Sequence, residues 1–137
     1  MTTPTPPLHW SALPNAPAPG TDLRCNRDAL TDGQATLWDL DTVNAPTPRT
    51  FKLLLLRSGA EVTAFVNRCA HFGVPLAAKQ SQLIFTPLAS ITCNVHYARY
   101  RWADGGCDTG ECDGVGLVPV PLHISVTGAL SIATQAG

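Results

Sequence analysis

The chain is short of charge, of methionine and of long apolar runs. Charged residues make up 14% of its 137 residues, one methionine is present, and the formal net charge is −1. Such a surface carries neither a basic stripe that would neutralise nucleic-acid phosphates nor a cationic face for an anionic membrane. The longest aliphatic run, Leu53 to Leu56, falls far below the roughly 20 residues that cross a bilayer as a helix. No basic start followed by an apolar stretch opens the chain, so no secretory leader is expected. An apolar stripe of helical length at 3.6-residue spacing is also missing, which argues against a helical bundle. The five cysteines are an odd number, so a fully paired secreted framework is not expected and a reducing cytoplasm is the simpler setting.

What is present suffices for one domain with a modest core, at 45% apolar residues. Residues 1–20 hold six of the twelve prolines and read as an extended arm, mobile or wrapped on the surface, which Leu8, Trp10 and Leu13 could pin down. Residues 21–137 read as the folded domain, and its signals are those of strands. Gln34 to Leu40 alternates, Phe51 to Arg57 is a buried apolar strand, and Val62, Ala64 and Val66 share one face after a turn at Ser58 to Glu61. Leu83 to Phe85, Ser90 to Thr92, Ala98 to Trp102, Pro121 to Val126 and Ala129 to Ala133 complete the set. Asp41 to Thr50, with Pro46 and Pro48, reads as a connection and not a strand. Asp104 to Gly116, with five glycines and four acidic residues, reads as a long loop of covering or functional character. Many short strands between Gly and Pro signals imply an all-β fold, an antiparallel sandwich or barrel.

Two short boxes carry the chemistry. Cys69-Ala70-His71 and Cys93-Asn94-Val95-His96 are separated by 21 residues, and each supplies one thiolate and one imidazole from a single tight loop. Gly73 lets the backbone turn sharply after the first His, and Pro75 stiffens the loop's exit. A structural Cys2His2 zinc site uses the same donors, but zinc sites usually pair Cys with Cys and His with His. The alternating order suits a [2Fe-2S] cluster with two Cys on one iron and two His on the other.

From about Leu23 to Thr134 the chain resembles the Rieske family. The resemblance implies a β-sandwich base and a small cluster-binding subdomain, here about residues 67–104, with Gly110 to Leu117 as a third loop over the cluster. It implies that Cys69 and Cys93 hold the inner iron and that His71 and His96 hold the outer one. Tyr100, Gly73 and Arg68 are expected to surround these ligands. With two thiolates and two neutral imidazoles the oxidised core is neutral, so it accepts an electron more readily than an all-cysteine core. Rieske potentials accordingly span roughly −150 to +300 mV against about −400 mV for plant-type ferredoxins.

Val74 and Val95 stand where high-potential family members carry a bridged pair of cysteines. Ala98 stands where those members place a serine that donates to the cluster sulfur, while the tyrosine four residues after the second His is kept as Tyr100. The expected potential therefore lies at the low end of the family's range. The resemblance is to soluble Rieske-type ferredoxins, which take one electron from a flavin-dependent reductase and pass it to a terminal oxygenase. The chain itself is then not expected to be an enzyme. The alternative is a non-catalytic docking subunit or redox sensor, similar to the small subunit of nitrite reductases.

Other residues are read more plainly. Cys107 and Cys112 are taken as small reduced residues in a loop, with a rigidifying disulfide as the alternative. Cys25 is taken as a buried apolar residue. Asp104, Asp108, Glu111 and Asp113 form an acidic patch able to steer a basic partner, with a solvated loop as the default. Arg99 and Arg101 flank the second box as Arg68 flanks the first. Phe72, Pro75, Leu76 and Tyr97 are expected to cover the cluster or to form an apolar docking surface. His9 and His123 have no partners at ligand spacing.

Overall fold

Four consecutive leucines set the layer order. A strand sends successive side chains to opposite faces, so such a run is stable in a strand only where both faces are covered. Leu53, Leu54, Leu55 and Leu56 are all 0% exposed. The computed structural model describes residues 10, 16–42, 49–68, 76–77, 79–93, 99–107 and 116–133. It places these leucines in β3 (Arg49–Ser58), between β2 (Ala35–Thr42) and β4 (Glu61–Val66). The central sheet runs β2-β3-β4-β8, the last being the short strand Pro119–Val120, and its pairs are antiparallel.

Each face of this sheet carries a three-stranded layer. On one side β1 (Asp22–Asn26), β10 (Ala129–Ile132) and β9 (Leu122–Ile124) form an antiparallel sheet. Leu23, Cys25, Leu130 and Ile132 from that layer share a buried cluster with Leu53, Leu55, Val62, Ala64, Val66 and Val120. On the other side β5 (Ile84–Thr86), β6 (Ser90–Thr92) and β7 (Arg99–Arg101) pair antiparallel. Ile91, Cys93, Tyr100 and Trp102 share a second buried cluster with Leu54, Leu56 and Phe65. The odd-numbered leucines thus serve one core and the even-numbered the other. Full burial of each contributes about 1.5–3 kcal/mol over exposure.

Three expectations change. The Asp41 to Thr50 segment is not wholly a connection, because Asp41 pairs with Thr50 and Thr42 with Arg49. The described ladder runs as far as Thr42 and Arg49, and Pro46 and Pro48 lie outside the described residues. β8 carries no strand signal of its own, since two residues show no alternation; it forms because Ala64 and Phe65 offer an open edge to Val120 and Pro119. The arm is not simply mobile or superficial either. Trp10 is 4% exposed within the first cluster, and Pro17 is buried beside a half-buried Ala16. Leu8 and Leu13 lie outside the described residues.

Candidate metal centre

Both boxes lie between segments whose ends the structure fixes. β4 ends at Val66, whose N–H donates to the Val118 carbonyl at 2.9 Å. The next N–H, that of Asn67, donates to the Lys52 carbonyl at 2.9 Å, and the Arg68 N–H turns back to the Val66 carbonyl at 2.8 Å. Arg68, directly before the first box, and Leu76 and Ala77, which follow it within the second buried cluster, are the described ends of that segment. The Gln80 side chain then fastens this segment to the base. Its amide oxygen accepts the Leu37 N–H at 2.7 Å, and its nitrogen donates to the Ala35 carbonyl at 3.0 Å. Gln80 thereby covers part of the free edge of β2, an edge that would otherwise invite pairing with another chain.

The second box is the loop of the β6–β7 hairpin. The last pair before it is Thr92 with Arg99. Cys93 follows at once, 0% exposed and outside any disulfide, in the same buried cluster as Leu76 and Ala77. Tyr100 is also fully buried, opposite Ile91 in β6 and in a β-bridge with Cys107.

Glycines fasten the base of the third loop. The Leu117 N–H donates to the Gly105 carbonyl at 2.8 Å. A side chain on Gly116 would stand 2.8 Å from that oxygen, and one on Gly105 would stand 2.6 Å from the Phe65 ring. Only glycine permits both approaches.

Cys93 is the expected ligand that lies among the described residues, at a strand end and shielded from water. Tyr100 is buried and Arg68 half-buried, each next to a box as expected. Cys69, His71, His96 and Gly73 lie outside the described residues, as do Phe72, Pro75, Tyr97 and His9. Leu76 belongs to the core and not to a docking surface. His123 is exposed on β9. Among the described residues no three His, Cys, Asp or Glu side chains gather as a metal site. The donor set nevertheless fits an iron-sulfur cluster, since a buried thiol at a strand end supplies a sulfur donor that water does not reach.

The charges near the boxes are partly spoken for. Arg101 holds Asp104 through two side-chain hydrogen bonds, of 3.0 and 3.2 Å, and Asp104 also accepts the Gly106 N–H at 2.8 Å. The Arg101 hydrogen bond, with help from that N–H, keeps the Asp104 carboxyl below its ordinary range. Asp104 therefore caps a turn instead of lending free negative charge to a patch. Asp108, Glu111 and Asp113 lie outside the described residues. Burial pushes the Cys25 thiol up, in keeping with its apolar role.

Cys107 departs from expectation, because it is disulfide-bonded. Cys25 and Cys93 are thiols, so its partner lies outside the described residues. The β-bridge to Tyr100 holds the Cys107 backbone in place.

Sequence reasoning missed Asn67 and Gln80. Asn67 is a buried amide beside an apolar stretch and Gln80 an exposed one among polar neighbours, and nothing local marks the hydrogen bonds that either makes. The one available signal is that Asn67 extends the buried run of β4 up to the box.

A family model for the Rieske [2Fe-2S] domain matches residues 25–121. No curated protein is close enough in sequence to count as a relative. Among solved structures, the ferredoxin of carbazole 1,9a-dioxygenase from Nocardioides aromaticivorans IC177 is 18% identical, with a TM-score of 0.59, over 87% of this chain and 100% of that one. The Sphingomonas yanoikuyae B1 ferredoxin is 19% identical, with a TM-score of 0.60, over 85% and 99%. A complex of reduced oxygenase and oxidised ferredoxin in carbazole 1,9a-dioxygenase also matches, at 19% identity and a TM-score of 0.59, over 82% and 92%. At these identities the likeness is one of fold, an antiparallel β architecture. The family match, over more than half of the chain and spanning both boxes, carries further: the chain belongs to the Rieske [2Fe-2S] domain family, and membership implies one [2Fe-2S] cluster per chain.

Proposed function

We propose that this protein is a one-electron carrier of the Rieske-type ferredoxin kind. In this reading Cys69 and Cys93 hold the inner iron, and His71 and His96 hold the outer one. The bound cluster supplies reversible one-electron chemistry at a moderately low potential. The protein keeps water from the sulfur side by burying Cys93, and it holds both ligand loops on a rigid sheet so that little rearrangement accompanies the electron. The observation that carries the reading is the family match across both boxes together with a fully buried thiol at position 93.

The partners follow from the same reading. One similar ferredoxin is that of a carbazole 1,9a-dioxygenase, and a complex of oxygenase and ferredoxin in carbazole 1,9a-dioxygenase is also similar. This supports a terminal oxygenase as electron acceptor; a flavin-dependent reductase as donor, and transient encounters with both, are part of the proposal. Among the described residues no helix is long and apolar enough to cross a membrane. A cytoplasmic location is part of the proposal.

The test is absorption and low-temperature EPR of anaerobically purified protein, before and after dithionite. A red-brown protein is expected, with a reduced-state EPR signal whose average g lies below the free-electron value. A colourless protein carrying one zinc, or one that takes up no metal after reconstitution with iron and sulfide, would overturn the reading in favour of a docking subunit.

A further inference from the structure

Asn67 is the one buried polar side chain among the described residues, at 5% exposure. It stands two residues before Cys69, and its amide reaches across the whole first box. Its oxygen accepts the Leu76 N–H at 2.8 Å, and its nitrogen donates to the Ala77 carbonyl at 3.2 Å. Its own backbone N–H is held by Lys52 in β3. One side chain therefore ties the start of the first ligand loop to its end, and both to the central sheet. Gln80, three residues past Ala77, fixes the same exit segment to β2.

We propose that Asn67 is the positioning residue of the first box, tying its entry at Arg68 to its exit at Leu76 and Ala77 so that Cys69 and His71 are presented to the cluster from fixed ends. The inference rests on the reading that these two residues are cluster ligands. The chemistry selects asparagine. Leu76 needs an acceptor and Ala77 a donor, both away from water, and a short amide offers one of each in a fixed plane. Aspartate keeps the acceptor but turns a carboxylate toward the Ala77 carbonyl and buries a charge. Alanine leaves a buried donor and a buried acceptor unmet.

The test compares wild type, Asn67→Ala, Asn67→Asp and a control, Leu55→Ala. Leu55 faces the other core, so its truncation destabilises the protein without touching the loop. Three quantities are read at a temperature where far-UV circular dichroism shows every variant folded. They are the rate of visible bleaching in excess chelator, the EPR line shape after dithionite, and hydrogen exchange at the Leu76 amide. Loss of partners around metal ligands typically weakens binding about 10- to 100-fold. Asn67→Ala is accordingly expected to bleach at least about tenfold faster than Leu55→Ala, to broaden the EPR signal, and to expose the Leu76 amide. Asn67→Asp is expected to fall between Asn67→Ala and wild type, and it serves alone if Asn67→Ala does not fold. Bleaching and line shape equal to those of the Leu55→Ala control would overturn the proposal. So would an unchanged Leu76 exchange rate, which can be measured without any cluster. A wild type that never holds a cluster would instead remove the electron-carrier reading, and the exchange arm would still decide whether Asn67 ties the two ends together.

Discussion

Replacing Gly105 with alanine tests how tightly the third loop is fastened. Gly105 has φ of 72°, and an added methyl carbon would stand 2.6, 3.0 and 3.1 Å from three atoms of the Phe65 ring. Phe65 is 1% exposed and belongs to the core between the central sheet and the β5–β7 layer, so it has little room to yield. A non-glycine residue at positive φ costs about 1–2 kcal/mol, and overpacking adds about 1–3 kcal/mol. Gly105→Ala should therefore destabilise by about 2–5 kcal/mol and lower the melting temperature by roughly 10 °C. Because the Gly105 carbonyl holds the Leu117 N–H, exchange at Leu117 should quicken as well. The assay is thermal and denaturant unfolding of Gly105→Ala, Phe65→Leu and the double variant. If the ring contact is the cause, trimming Phe65 relieves part of the clash, and the double variant should be more stable than the sum of the singles by at least about 1 kcal/mol. Strict additivity, or a loss below about 1 kcal/mol for Gly105→Ala, would refute the close approach.

Further tests bear on the arm, the turn and the disulfide. Trp10→Ala should cost about 3–5 kcal/mol in urea unfolding, as for a core aromatic; a change within error would show that the arm is not part of the core. The Asp104 carboxyl is lowered in the folded protein, so its contribution is present above the ordinary aspartate pKa and is lost as pH falls through the depressed value. Asp104→Asn should remove that acid-side step, which should be small and salt-sensitive because the pair is exposed. Alkylation without reductant, followed by peptide mapping, should leave Cys107 unmodified and linked to Cys112. A link to Cys69 would take a ligand from the cluster and defeat the proposed function.

How much the sequence disclosed depended on whether the determining interaction was local. The Leu53 to Leu56 run announces a strand covered on both faces, and the alternation of Val62, Ala64 and Val66 picks out the face that meets β1 and β10. The two boxes are local motifs, so a candidate centre of two Cys and two His is legible from spacing, and the family match is what points to a [2Fe-2S] cluster. The apolar Trp10 is legible as a pin for the arm, and it is buried; the contributions of Asn67 and Gln80 come from partners across a loop or far along the chain, and their own neighbours do not reveal them. Pro119 and Val120 become a strand because a neighbouring edge is free, not because of any preference of theirs. The Cys107 disulfide departs from the reading because cysteine count and a supposed reducing compartment carry no information on which sulfurs the fold brings together.

The alternating leucines of β3 have a thermodynamic consequence. One backbone is the wall of both cores, so neither can dissolve while the other stays intact, and the base cannot serve as a passive pedestal. In the proposed reading, with Cys93 as a ligand, free energy released when iron and sulfide are taken up is then shared by the whole molecule and should appear as added resistance to unfolding even at β1 and β10, in the layer on the other side of the central sheet. Conversely, a substitution in the β1–β10 layer, far from any metal ligand, should shorten the lifetime of the cluster under oxidative or thermal stress, because cofactor retention and global folding form one equilibrium.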